Sequence, residues 1–565
     1  MSGQLPTVAL LMLAAQTACP PPGPASRCAT DDDCGDDHFC YLVGNYCLPR
    51  QDGGAAHAGN VQILELTVSP DHIPWDSTTT VHFRAASATS CELDGVHYPG
   101  VESNAGVDRP VHLLASHTFE LVCRGNGGPV SAEIEVAVLC SAPVIRAGSS
   151  VVVTSQSELE SRFAGIEGCF VIDGSLHIAD STDIVDLTAL AGLVEVRGHL
   201  QIHDNSGLTS LAGLESLQRV TGDLGVGAWC SEHQQHEGNP LLQSAAGLSG
   251  LHEVLGALRI TGYSSGSPTV LASLDGLEEL RMVQRYLAVQ YLTDLTSIAG
   301  LKRLRSVGSD RDRHGIWLQS LPRLSTLHGL EGLITMQGTL AIEYGMDELM
   351  DISSLSGLTE AASVAFSGLE RLLTLHGLDN VTGVDRVLSL TYNPVLSDIS
   401  ALEGAFSSGT LTRLDLAGNP DLQDLSPLTA IAAIVKNSAG DTCPPATEED
   451  YFYTSGSLAL RYGGPASVSF LSNLQTIECS LYVYRTGLTS LAGLSSLDAL
   501  GGNLEIDGNS QLVELGLPED CDFGGPYFIV TDNDSLSGEA VQTLAESWTS
   551  ASPSAYHVTI SGNAP

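Results

Sequence analysis

Asn205-Ser-Gly-Leu208-Thr-Ser-Leu211-Ala-Gly-Leu214-Glu-Ser-Leu217 places a leucine at every third residue behind an asparagine. The frame returns as Asn393…Leu396…Ile399…Leu402, as Asn419…Leu422…Leu425…Leu428 and as Asn509…Leu512…Leu515. Gly-Leu steps at Gly192, Gly213, Gly276, Gly300, Gly329, Gly357, Gly377 and Gly493 mark further copies, and neighbouring copies lie 20 to 29 residues apart. A period of that length is the mark of a solenoid, in which each coil buries its apolar side only against the next.

Ahead of the asparagine runs a short alternating stretch: Gly198-His-Leu200-Gln-Ile202, Val387-Leu-Ser-Leu390, Leu414-Asp-Leu416, Gly502-Asn-Leu504-Glu-Ile506 and, last, Val558-Thr-Ile560-Ser-Gly-Asn563. Alternation turns two aliphatic side chains inward, the asparagine can hydrogen-bond backbone at the turn, and the three-residue leucine spacing carries the chain back over the core. The prediction is a mainly β, leucine-rich-repeat-like solenoid with one parallel sheet over residues 141–565. Interruptions at about 227–240, 262–270, 308–315 and 437–456 read as loops inserted between coils, and such insertions often form a binding site. The side chains alternating away from the core are His177, Gln201, His203, Arg259, Gln290, Tyr482, Tyr484 and Glu505, which become the candidate ligand contacts. Aromatic, His and Arg side chains give large contact area at low entropic cost and suit protein or glycan recognition.

The pattern G-x-L-x-I-x-x-N-x-x-L-x-x-L-x-G-L resembles the receptor L domain, the right-handed solenoid that binds ligands in the insulin and epidermal growth factor receptor ectodomains and occurs in some fungal wall proteins. The resemblance covers most of 150–430 and again 455–530. It implies the fold and leaves the ligand open, since related solenoids bind proteins, glycans or nothing known. By the same resemblance, Cys140 and Cys169 stand where the open N-terminal end needs a cap and are paired there.

Upstream, residues 60–140 alternate as short strands broken by Pro and Gly, which reads as a small β-sandwich. The segment resembles a bacterial immunoglobulin-like domain, with Cys91 and Cys123 placed to bridge its sheets, although no Trp stands between them. Its expected role is a spacer. Residues 19–59 hold Cys28, Cys34, Cys40 and Cys47, then a Gly/Ala-rich linker. Two disulfides of open connectivity would fix a stretch too small to stabilise itself by a core. That stretch resembles the Asp-rich, four-cysteine segments of secreted bacterial proteins. Its aspartates (31–33, 36 and 37) could attract Ca²⁺, yet solvated charge accounts for them without a site.

Val8 to Ala15 is an apolar run too short to span a bilayer, and residues 1–18 read as a signal peptide. The small residue before Cys19 resembles the lipobox of bacterial lipoproteins, which implies lipidation of Cys19. Gln16 and an n-region without Lys or Arg depart from that pattern, so an ordinary Cys19 stays open. Any membrane attachment is expected through this lipid anchor alone. Thirteen cysteines in close groups imply an oxidising compartment, and twelve remain to pair without Cys19. The pairing of Cys230, Cys443, Cys479 and Cys521 is open, with Cys230 expected to seek Cys443 or another thiol.

The chain carries 24 Lys+Arg against 66 Asp+Glu, a formal charge of −42, while 43% of its residues are hydrophobic. Such a chain folds, and it repels phosphate backbones, which excludes nucleic acid as a partner. Cys230, His233 and His236 suggest Zn²⁺, but a fourth ligand is missing, and no metal is expected. Gly262-Tyr-Ser264-Ser-Gly266 matches a nucleophile elbow in letters only: Pro268 follows where a helix should, and no Asp…His pair stands in context. The expected function is non-enzymatic: a cell-surface or secreted protein that binds or adheres to a protein or glycan. A structural envelope component without a specific ligand is the alternative, and a hydrolase working from an inserted loop is the weakest reading.

Overall fold

The computed structural model describes residues 38–41, 46–49 and 61–564, less 75–76, 100–105, 114–115, 126–127, 140–143, 228–229, 232–233, 236–237, 263–269, 309–314, 438–442, 444–454 and 551–555. The leader, Cys19, Cys28, Cys34 and the aspartates 31–37 lie outside the described residues. The strands His38–Tyr41 and Tyr46–Pro49 pair antiparallel in a register that sets Cys40 opposite Cys47.

Two compact units follow, with the main boundary between Val138 and Leu139. In the first, Gln62–Ser69, Ser77–Ala86 and Val107–Leu113 form a three-stranded antiparallel sheet. The strands His72–Pro74, Val130–Leu139, His117–Gly125, Ala88–Leu93 and Val96–Pro99 form a five-stranded one. Strict alternation along Ser77–Ala86 sends Val81, Phe83 and Ala85 inward, and Leu93, Phe119 and Leu121 from the other sheet are as deeply buried. Cys91 and Cys123 are disulfide-bonded, but within one sheet and not between two: they stand opposite each other on Ala88–Leu93 and His117–Gly125, with Cα atoms 4.0 Å apart. The chain changes sheets at Ser87, where φ is 57°, so Cys91 already lies beside the strand that carries its partner.

The second unit is a parallel β solenoid. After the strand Leu200–Asn205, the leucines at 208, 211, 214 and 217 are all fully buried, and the short strand Arg219–Val220 ends the coil. Leu176, Leu200, Leu224, Leu258 and Leu287 then stack in register along the main ladder. Leu193–Val196, Arg219–Val220, Glu253–Val254 and Met282–Val283 start a second ladder on another side of the coil. Both ladders join at the strand Phe170–Ser181, whose halves each pair with one of them, giving a connected sheet of 22 strands. Each fully buried leucine contributes about 2 kcal/mol by removal from water, and the coils share one continuous core.

Asparagines tie the coils together at the turn. Asn205 Nδ2 donates to Ile178 O of the coil before (2.8 Å), and its backbone N–H donates to Asn239 Oδ1 of the coil after. Asn393 and Asn419 repeat this arrangement, and Asn509, Asn533 and Asn563 make a run of three. In middle coils the residue two past the strand is instead Leu292, Leu321 or Leu369, all buried.

The main ladder keeps its register on both sides of 227–240, 262–270, 308–315 and 437–456. Leu224 pairs with Leu258, Ile260 with Val289, Val289 with Leu318 and Leu416 with Leu460, so the ladder closes behind each insertion. His233, His236 and Ser264 lie outside the described residues. The first coil is covered by the helix Gln156–Phe163, capped by Ser155 and burying Leu159 and Phe163. Cys169 is disulfide-bonded, and Cys140 lies outside the described residues. At the other end the helix Gly538–Thr549 packs Trp548 on Phe523 and Phe528.

Two cysteine expectations need correcting. Cys443 pairs with Cys479 (Cα–Cα 5.3 Å), not with Cys230: its sulfur lies 3.3 Å from the carbonyl of Glu478, the residue before its partner. Cys521 is a buried free thiol, so the twelve cysteines do not all pair. Burial, with Asp522, Asp498 and Asp520 nearby, pushes its thiol up to about 12, far from the reactive thiolate form.

Candidate ligand-binding face

The main ladder presents to the outside every residue that alternates with its buried leucines. His177 pairs with Gln201, which leads through Gly225 to Arg259 and on through Ala288 to Trp317. The same row continues through Ser389 and Asp415 to Ala459, Tyr482 and Glu505. A parallel row runs from His203 through Thr261, Gln290 and Gln319 to Glu343, and later through Thr391 and Ala417 to Arg461 and Tyr484. All eight predicted contacts therefore sit on one face. They do not make one site: Arg259 and Tyr482 are eight coils apart, roughly 40 Å at strand spacing.

Facing outward is also not the same as being exposed. Tyr482 is only 1% exposed, and Gln201, His203, Gln290 and Glu505 are buried too. Strands about 4.8 Å apart bring large side chains of successive coils against one another, so each covers its neighbour. His177, Arg259 and Tyr484 keep partial exposure.

In the first group, Asp223 accepts from Arg259 (3.3 Å) and forms a second ion pair with Arg285 (3.5 Å). Arg259 also donates to the Tyr286 hydroxyl (2.7 Å), with its guanidinium 5.9 Å from that ring's centre. Burial, followed by the neighbouring His203 and His199, pushes the His177 imidazole below its ordinary value and favours its neutral form.

In the second group, Arg461 donates to both oxygens of Asp415 (2.9 and 2.7 Å), each residue at most 5% exposed. The Tyr484 hydroxyl donates to Glu505, and the rings of Tyr482 and Tyr484 stack 6.2 Å apart. Burial, and then the Asp507 charge against the Tyr484 hydrogen bond, raises the Glu505 carboxyl above the ordinary carboxylate range. Between the groups, Trp317 Nε1 donates to Glu343 (3.2 Å), whose carboxyl burial likewise raises. Gln290 donates to Gln319 (3.0 Å) and Thr391 to Ser367 (2.7 Å). Side-chain hydrogen bonds from coil to coil thus fix the face before any ligand arrives.

Residues 168–227 match the Receptor L domain family. The matched segment contains the strands Phe170–Ser181, Leu200–Asn205 and Leu224–Gly227, and with them His177, Gln201 and His203. Receptor L domains are non-catalytic ligand-binding modules of extracellular, receptor-type proteins. No curated protein matches the chain in sequence. Among the described residues, no helix is long and apolar enough to cross a membrane.

Sequence reasoning missed the residue immediately after each main strand. Tyr291, Tyr344, Tyr392 and Tyr462 all take this position with positive φ, and Tyr344, Tyr392 and Tyr462 are 52%, 41% and 43% exposed. Only the period shows it in sequence: each tyrosine directly follows the last strand residue, in the place that Asp204 takes after His203 within the strand Leu200–Asn205.

Proposed function

We propose that this chain is a non-enzymatic binding protein, secreted or held at the cell surface, that takes a protein or glycan ligand on the outer face of its solenoid sheet. The exposed tyrosines bordering a face already fixed by the Asp415–Arg461 pair carry this reading, because they join large apolar contact area to ordered polar groups. The Receptor L segment supports it as to class. In this reading the first unit is a spacer and a lipid on Cys19 is the attachment.

Purified full-length protein, made in an oxidising compartment, is screened against glycan arrays and envelope extracts, alongside an Arg461→Met, Asp415→Leu variant that keeps the face packed but strips its charge. Specific capture weakened in that variant is expected. Self-association with no capture overturns the proposal and favours an envelope component.

A further inference from the structure

The tyrosines beyond the strands follow a rule. In successive coils the position reads Tyr291, Ser320, Tyr344, Gly368, Tyr392, Gly418, Tyr462, so a tyrosine stands on every second coil. Tyr291, Tyr392 and Tyr462 have φ of 56°, 56° and 50°, left-handed backbone that a bulky side chain adopts only at a cost and that Gly adopts freely. Other coils hold the same left-handed backbone with Asp204, Ser320, Arg485 and Asp532, so it is the alternation of Tyr with a small residue that sets this row apart. The intervening residues have to be small. A Cβ on Gly368 would lie 2.8 Å from Tyr344 Cδ1, and one on Gly418 would lie 2.7 Å from Tyr392 Cδ1, so each ring rests across the glycine of the next coil. Tyr291 leans the same way, its hydroxyl reaching Gln319. Past Tyr462 the next coil offers Arg485 in place of Gly, and the Tyr462 ring stacks back on Tyr392 with centroids 6.3 Å apart.

The row has three properties a ligand must match. Its tyrosines are rooted two coils apart, roughly 10 Å at strand spacing, with the last ring, Tyr462, drawn back to 6.3 Å from that of Tyr392. It runs beside a strip of amide, hydroxyl and paired ionic groups, Gln319, Ser367, Thr391 and Arg461, of which the last three are buried and bonded from coil to coil. And its carboxylates are already engaged, Glu343 by Trp317 and Asp415 by Arg461. A folded partner protein does not repeat at this interval. A linear polysaccharide does: its pyranose rings offer apolar C–H faces to the aromatic rings, and two β-1,4-linked units are about as long as the interval between tyrosine roots. The acidic chain disfavours an anionic polymer. Resting on the sheet-face reading above, we infer that the tyrosine row Tyr291–Tyr344–Tyr392–Tyr462 is a binding track for a neutral, β-1,4-linked glycan chain.

The test uses the full-length protein with insoluble cellulose and chitin in pull-downs, and their oligosaccharides from dimer to hexamer in calorimetry. Affinity should rise with oligomer length, and Tyr392→Gly should weaken hexamer binding about tenfold. Because Gly suits the left-handed backbone, that variant keeps its fold, which an unchanged circular dichroism spectrum and Tm verify. Tyr344→Gly, Tyr392→Gly and Tyr462→Gly together should abolish binding. Binding that survives the triple variant, or no binding to either polymer, overturns the glycan track. If a protein ligand is captured by the parent and by the triple variant alike, but not by Arg461→Met, Asp415→Leu, the glycan track falls and binding on the sheet face itself stands. If no ligand of either class is captured, both fall.

Discussion

Asn509 is the most stringent test of how the coils are joined. Its side chain is fully buried, and Oδ1 accepts from the Thr486 N–H (2.8 Å) and hydroxyl (2.7 Å) of the coil before. Its Nδ2 donates to Val483 O (3.0 Å) and to Asn533 Oδ1 of the coil after (3.0 Å). Asn509→Ala leaves the Thr486 N–H and the Val483 carbonyl buried without that partner. At about 1–3 kcal/mol for each such group, the loss comes to about 4 kcal/mol, several times the usual cost of a surface substitution. Because each coil rests only on its neighbours, the damage should be local. Amide hydrogen exchange should show Thr486 and the strand Leu481–Tyr484 losing protection while the strand Leu200–Asn205 keeps it. Gln511→Ala, exposed on the same turn, should change stability by less than about 0.5 kcal/mol. An Asn509→Ala loss below about 1 kcal/mol, with Thr486 exchange unchanged, would refute the idea that the asparagine joins the coils.

Glu505 holds its proton more tightly when folded, since burial raises its carboxyl. The stability this gives is fully present below the unfolded value and lost as pH rises through the folded one, so Glu505→Gln should raise Tm at neutral pH and not at acid pH; an equal shift at every pH refutes the assignment. Glu279 and Arg303 form an ion pair only 3% and 6% exposed, so Arg303→Met alone should cost about 3–5 kcal/mol in urea denaturation, and adding Glu279→Leu should recover most of it. Replacing both Cys443 and Cys479 by Ser opens a loop with a sequence separation of 36 and should cost about 4 kcal/mol, read as a lower denaturation midpoint of the solenoid unit.

The repeat was legible because every coil must bury the same leucines. Leu208, Leu211, Leu214 and Leu217 are spaced in sequence as they are stacked in space, and an insertion interrupts that spacing without changing the register on either side. Outward residues were legible for the same reason, since side chains alternate along a strand. Exposure was not legible, because whether Tyr482 meets solvent depends on Glu505 and Ala459 in neighbouring coils, which lie 23 residues away on either side. Asn239 was hidden behind an insertion that separates it from its strand, although it bonds Asn205 as Asn419 bonds Asn393. The sheet placement of Cys91 depended on a single left-handed residue, Ser87, for which sequence alternation carries no signal.

The chain's formal charge of −42 is not expressed evenly, and this bears on what the face can hold. Along the outer sheet, Asp223 is engaged by Arg259 and Arg285, Glu343 by Trp317, Asp415 by Arg461, Glu505 by Tyr484 and Asp507 by Thr531. Burial raises the carboxyls of Glu343 and Glu505 above the ordinary carboxylate range. Other acids are exposed away from it, as at Asp398, Glu403 and Asp424, the first and last accepting from the backbone N–H groups of Ser400 and Ser426. An acidic exterior keeps such proteins soluble and apart, whereas a near-neutral face imposes no electrostatic cost on an uncharged ligand. Because its polar groups are ordered by bonds from coil to coil, binding on it fixes few additional side chains. A ligand that repeats with the coils gains the same contact at each step, and that is where a solenoid differs from a single pocket.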